Sequence, residues 1–443
     1  MDPSPLAQEA GIVESRVERL SWPLVVPLFA TTLFLGSFLM FMVEPMIAKM
    51  VLPILGGAPM VWNTCVVFFQ TLLLAGYAYA HGTSSWLHPK RQSVVYSVLL
   101  ILPLLGLPFR IHAASGPVQS HPILWLFVAL ATSIGPAFFV LSTASSVFQK
   151  LFSTANQAGS RDPYFLYAAS NLGSLVALAS YPTLVEPTLR LDEQIRYWTV
   201  GYAFFAIFAV VCVGIAKQQA TESVAADSAV EDGQAPTWPR RARWVALAFV
   251  PSSLMLGVTS YLSTDIAAVP LLWIVPLWLY LLTFVVTFGS KGDRARVIAN
   301  RALPLLILPL ALMMVAQVKG PLSAVIPVHL LVFLAAGLLC HSELSRDRPG
   351  ASHLTEFYFW LALGGMAGGL FNTLVAPVVF NRIVEYPLAL GLACLFRPRP
   401  NVTVEGRRTR IALVPLCAVA CAAFLLLTAG RLAIPPRLLL AVM

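Results

Sequence analysis

Nine side chains stand where chemistry would be costly and therefore informative: Glu44, Lys49, Asn63, Gln70, Asn171, Glu186, Asp265, His329 and Asn372. Each falls inside or at the end of an apolar run long enough to cross a bilayer, where polar groups need a partner or a function. Asn63 and Gln70 are seven residues apart, so they share one helix face. Asn171, Asn372 and Gln317 sit in later runs, and "LSTASS" (Leu141–Ser146) adds hydroxyls. Such groups either line a polar cavity together or bind helices to one another, and the residues alone leave both open. His329, the most deeply placed titratable residue, suits a proton relay or a neutral hydrogen bond to a neighbouring helix. Glu44, Glu186, Asp265 and Glu385 all fall at span ends on one side, an acidic mouth that would attract cations. Carboxylates that simply mark span ends would give the same pattern.

The elements that must position these residues are membrane helices. Of 443 residues, 58% are hydrophobic and only 11% charged, and mean hydropathy is +0.78. A soluble domain carries about a quarter charged residues. Thirteen apolar runs are candidate spans, from near 23–43 to near 411–430, with the twelfth (about 383–396) short. The predicted fold class is an all-α polytopic membrane protein of about 12–13 helices in two parallel six-helix halves. The predicted organisation is a cytoplasmic N-terminal segment (1–22), a first membrane half (23–216), a linker (217–243), and a second half (244–443) with an extra C-terminal helix.

Basic residues orient these spans. With a cytoplasmic N-terminus, inside segments hold 21 lysines and arginines and outside segments 8. The positive-inside rule therefore predicts a multi-pass inner-membrane protein with its N-terminus in the cytoplasm. The net charge of +9 is concentrated in loops such as Lys291–Arg301 and Arg397–Arg410, which suits anionic headgroups and not nucleic acid.

The two halves faintly repeat. "APMVW" (Ala58–Trp62) matches "VPLLW" (Val269–Trp273), and "TLVEP" (Thr183–Pro187) matches "TLVAP" (Thr373–Pro377). Six spans precede the linker, so corresponding spans run in the same direction, as in major facilitator transporters. "GGMAGG" (Gly364–Gly369) and the series Ala169, Gly173, Ala177 place small residues four apart, which lets helix backbones approach closely. The six cysteines form no CxxC, and no metal site is expected. No phosphate loop, HExxH, GxSxG or glycine-rich nucleotide turn is present, so no catalytic residue and no cofactor is assigned.

The stretch "EPMIAKMVLPILGGAPMVWNTCVVFFQTLLLAGYAYAH" (Glu44–His81) resembles the first signature of the membrane part of fused major facilitator/spermidine synthase proteins. "YFLYAASNLGSLVALASYPTLVEP" (Tyr164–Pro187), "PSSLMLGVTSYLSTDIAAVPLLWIVPLWLYLLTF" (Pro251–Phe284), "CHSELSRDRPGASHLTEFYFWLALGGMAGGLFNTLVAPVVF" (Cys340–Phe380) and "EYPLAL" (Glu385–Leu390) are similar to later ones, in order. The resemblance implies a major facilitator-like fold and a link to polyamines. Family members often continue into an aminopropyltransferase domain, which this sequence lacks, so the chain is not expected to synthesise spermidine itself. The loop "HGTSSWLHPKRQ" also departs from the Gly-x-x-x-Asp-Arg pattern of ordinary major facilitator transporters.

Two further expectations concern Glu44. Pro45 and Pro53 predict an irregular or re-entrant segment after the first span, and Glu44 is placed to pair with Lys49. The leading functional expectation is a secondary transporter-like protein moving a small cationic or zwitterionic solute. The alternatives are a membrane anchor for a soluble cytoplasmic enzyme such as an aminopropyltransferase, and a membrane-embedded enzyme acting on a hydrophobic substrate.

Overall fold

In the computed structural model, residues 22–55, 59–87, 89–111, 122–155, 163–223, 235–262, 274–315, 322–381 and 383–398 are described, and they contain helices and connections but no strand. Thirteen helices carry the architecture. The first seven are α1 (Trp22–Leu55), α2 (Pro59–Trp86), α3 (Pro89–Ile101), α4 (Pro122–Ser133), α5 (Gly135–Ala155), α6 (Phe165–Ser180) and α7 (Leu191–Ser223). The remaining six are α8 (Trp238–Tyr261), α9 (Ile274–Phe288), α10 (Gly292–Val315), α11 (Leu322–Arg346), α12 (Leu354–Leu370) and α13 (Glu385–Leu395). Seven helical segments among the described residues are long and apolar enough to cross a membrane. The α4–α5 pair makes an eighth span if its 69° bend at the Gly135–Pro136 break is counted within one crossing. Helices α3, α9 and α13 are shorter and apolar. The thirteenth predicted span, 411–430, lies outside the described residues. Below, the side on which α1 begins is called the N-side and the opposite one the far side.

The first correction concerns the proline-rich segment. Helix α1 runs unbroken from Trp22 to Leu55, with Pro27, Pro45 and Pro53 inside it. It is not an irregular or re-entrant segment as far as Leu55. A proline removes one hydrogen bond, here that of the Phe41 carbonyl to Pro45, but neighbouring helices can compensate inside a membrane bundle. Val25, Phe29, Val43, Met46 and Ile47 of α1 are fully buried, so packing holds the helix across its prolines. Helix α7 continues through Lys217 to Ser223 and α8 starts at Trp238, and residues 224–234 between them lie outside the described residues.

Two large apolar clusters form the cores. One is built from residues between Val25 and Val213, the other mainly from residues between Trp244 and Ala393, joined there by Tyr77, Tyr164 and Tyr167. Small residues bring the helices together. A Cβ at Gly173 of α6 would run into the Phe34 carbonyl of α1, and one at Gly364 of α12 into the Val245 carbonyl of α8. Gly365 and Gly369 lie on the other face of α12, toward Tyr280 and Gln70.

The repeated Thr-Leu-Val-x-Pro motif has the same local structure in both places. Helix α6 passes into a π-turn at Tyr181–Val185, and α12 into one at Phe371–Val375. In each, a main-chain N–H reaches back five residues: Glu186 to the Tyr181 carbonyl and Ala376 to the Phe371 carbonyl. The prolines that follow, Pro187 and Pro377, cannot donate to the Thr183 and Thr373 carbonyls, which explains why regular α geometry ends there.

Candidate functional site

Between the two cores lies a cavity of about 280 Å³, lined from α1, α2, α5, α6, α8, α9 and α12. Its wall is mostly apolar and aromatic, with Phe41, Phe69, Phe138, Tyr167, Tyr280 and Phe284 among its residues. Glu44 is the one charged residue among the described lining residues. It stands eleven residues before the end of α1, or about 16 Å at ~1.5 Å rise per residue. Glu44 is therefore not part of a mouth at a span end, because the helix does not stop at Val43.

The predicted Glu44–Lys49 pair does not form. Lys49 Nζ instead meets Glu186 Oε1 at 3.0 Å, linking the far-side end of α1 to the residue just after the first π-turn, and both side chains are more than a third exposed. Positions 44 and 49 differ by five residues, close to one and a half turns, which turns them to different faces. Among the described residues, the Glu44 carboxylate receives no hydrogen bond and no ion pair.

Several hydroxyls of the remaining polar lining have already given their protons. Ser142 donates to the Leu72 and Phe139 carbonyls, Ser252 to Gly365, and Thr259 to Met255. Ser37 and Ser170 bond to each other at 2.5 Å. Asn171 gives its amide N–H to the Tyr167 carbonyl at 2.8 Å. A hydroxyl that has given its one proton to a carbonyl offers only lone pairs to anything else. Gln70 packs its amide against Gly369, and its buried Oε1 has no donor. These serine and threonine hydroxyls therefore present acceptors, while the Tyr280 hydroxyl and the Gln70 amide N–H groups remain as donors in the lining.

Of the nine sequence-predicted residues, the structure brings Glu44, Gln70 and Asn171 into this cavity. Asn372 lies in the second π-turn, donating to Ser253 Oγ at 2.7 Å and to the Gly368 carbonyl, with its Oδ1 buried and unpartnered. His329 does not reach the cavity. It is buried in the second core, its Nδ1 2.9 Å from Tyr386 Oη and its ring stacked on Tyr261, so its role here is a polar tie between helices. Lys49 and Glu186 pair with each other outside the cavity lining. Asp265, and the side chain of Asn63, lie outside the described residues. Glu385, read as part of the acidic mouth, is buried at the start of α13.

Sequence reasoning missed the residues that close the N-side end of the cavity. Tyr358 of α12 is fully buried and donates to Gln149 Oε1 of α5 at 2.6 Å. Its ring packs against Tyr77, Tyr164 and Tyr167, with centroids 6.2, 5.9 and 4.9 Å away. Closer to that end, Tyr164 donates to the Pro349 carbonyl at 2.9 Å, Arg348 lies over the Tyr164 ring, and Thr355 meets His81 and Ser84. All of these contacts join the two halves. The signal was present as aromatic residues at matching depth in three runs, but nothing in one sequence says that they converge. His341 was not singled out by the sequence. It is fully buried behind the cavity wall, 2.6 Å from Thr283 Oγ1 and stacked on Phe284.

No protein-family model matches the sequence, and no curated protein does. Solved structures do match. A peptide transporter POT mutant in complex with alafosfalin superposes with a TM-score of 0.50 at 15% identity, over 83% of this chain and 93% of that one. The fold is major facilitator-like. A bacterial homologue of the iron transporter ferroportin, in an outward-facing state, aligns over 90% of this chain and 99% of that one, at 13% identity and a TM-score of 0.48. What the peptide transporter shares with this chain is an all-helical architecture in two halves.

Proposed function

We propose that this protein is a secondary transporter for a small cationic or zwitterionic solute, with Glu44 as the counter-charge. The observation that carries this reading is the cavity between the halves, in which Glu44 is unpaired and is the one charged residue among the described lining residues. A lone carboxylate away from water is costly unless something compensates it, and a residue kept there at that cost is a functional candidate. The site sits at the interface of two parallel halves, where rocking of one half against the other exposes it to either side in turn. Gln70 and Asn171 would orient the solute, and the tyrosine cluster around Tyr358 would form the N-side barrier. The polyamine link rests on the resemblance of the motifs, and the excess of basic residues on the N-side supports a cytoplasmic N-terminus in an inner membrane.

Uptake of radiolabelled amines, spermidine among them, into proteoliposomes tests this reading. The wild-type chain should accumulate at least one of them, and Glu44→Gln should fold normally but transport none. Glu44→Gln protein that transports as well as wild type would overturn the assignment.

A further inference from the structure

Resting on the transporter reading above, we infer that the cavity takes a monovalent amine with an apolar body, and that this amine exchanges with a proton on Glu44. The charge balance of the wall separates solute classes. Among the described lining residues there is one carboxylate and no lysine, arginine or histidine. A zwitterion would bring its own carboxylate into a wall with no cation to receive it, and an anion would face Glu44 directly. A polyamine would bring two or more positive charges to a single counter-charge. A monocation alone leaves the site neutral.

The other lining groups specify the rest of the ligand. The hydroxyls of Ser142, Ser252 and Thr259 have already given their protons to carbonyls, and Gln70 Oε1 has no donor. These atoms accept hydrogen bonds, so they favour an ammonium with N–H groups over a quaternary nitrogen. The aromatic wall suits an apolar body, and aromatic faces attract cations as well. At about 280 Å³ the cavity lies near the lower end of small-molecule sites, which run from ~300 Å³ upward.

Exchange follows from the same isolation. When the amine is absent, a proton on the carboxyl keeps the cavity neutral. When R–NH3⁺ enters, the carboxyl O–H bond breaks, the proton leaves to water, and the carboxylate forms an ion pair with the ammonium. One positive charge enters and one leaves. The titratable groups that face Glu44 across the cavity are Cys65 and Tyr77 of α2, Tyr167 of α6 and Tyr280 of α9, all neutral as thiol or phenol at ordinary pH. The lining residues from α5, α8 and α12 include no titratable group, and α7 contributes none to the lining.

The test uses the purified full chain in weakly buffered detergent solution, with calorimetry for binding and a pH dye for protons. Phenethylamine should bind with release of about one proton per molecule. Spermidine, phenylalanine, 3-phenylpropionate and the trimethylated analogue of phenethylamine should each bind at least about tenfold more weakly. Glu44→Gln should abolish both signals, and Gln70→Leu should weaken amine binding severalfold while leaving the proton count unchanged. The wild-type panel and proton count are decisive even if the Glu44 variant fails to fold. Phenylalanine or spermidine binding as tightly as phenethylamine would overturn the monocation assignment, and amine binding without proton release would overturn the exchange. Either result leaves the transporter reading standing if solutes still cross proteoliposome membranes. Absence of all transport by wild-type protein would remove that reading instead.

Discussion

Two regions of this molecule hold carboxylates within helices, and they treat them in opposite ways. At the N-side end of the second half, the three partly or fully buried acidic groups Glu343, Asp347 and Glu356 each have a basic partner. Glu343 is held by Arg296 at 2.6 Å and by Arg243 at 3.1 Å. Asp347 is held by Arg240 and Arg243, and Glu356 by Arg241 with His353 nearby. These bonds tie the N-side ends of α8, α10, α11 and α12 into one body. In the cavity, by contrast, Glu44 has no basic partner, and the rest of the described lining is apolar, aromatic or uncharged polar. Paired carboxylates at the N-side brace helices, whereas the Glu44 carboxyl lines the cavity between the halves without a basic partner. A network that has already found all its partners has little left to offer a ligand, and Glu44 has everything left to offer.

The comparison is sharpened first by Glu343→Gln, which should have the largest effect on stability. It strips two arginines of their buried carboxylate, and breaking a buried pair from one side costs about 3–5 kcal/mol. A thermal melt in detergent should show a clear drop for Glu343→Gln and none for Glu44→Gln, which removes no existing bond. Equal losses for the two would erase the distinction drawn here. Tyr358→Phe should act more mildly. It leaves Gln149 Oε1 without its donor, a loss of about 1 kcal/mol, and it weakens the barrier between halves without touching either core. Faster hydrogen–deuterium exchange at the N-side ends of α5 and α6, with a nearly unchanged melting temperature, is the expected outcome. The smallest effect belongs to Lys49→Gln at the far side. Its bridge to Glu186 is substantially exposed, and such pairs contribute roughly 0–1 kcal/mol. A large destabilisation by Lys49→Gln would show that this bridge braces the far side as the arginine network braces the N-side.

Much of the architecture was legible before any coordinates. Apolar run length reveals membrane helices because a bilayer demands that backbone polar groups be satisfied within each segment. Twelve of the thirteen predicted runs coincide with described helices, and the thirteenth lies outside them. The Thr-Leu-Val-x-Pro repeat was visible as letters, and its two copies take the same π-turn because both place a proline at the same distance from the helix body. Small-residue spacing in α6 and α12 announced close helix contacts, and Gly173 and Gly364 make them.

What could not be read was decided by which helices meet. Prolines in α1 predicted a break by local rules, yet packing along the helix keeps it continuous to Leu55, and that moves Glu44 from a span end to the cavity wall. Lys49 found Glu186, 137 positions away in sequence, where proximity along the chain had suggested Glu44. His329 and Gln70 looked alike as polar residues in apolar runs, but one is tied to Tyr386 inside a core and the other lines the cavity, its buried amide oxygen unpartnered. The sequence by itself determined that helices span and roughly where they begin and end, because those depend on local composition against a fixed solvent thickness. Only the tertiary structure decided which polar groups are compensated, since compensation depends on neighbours from other helices, and that difference separates a brace from a site.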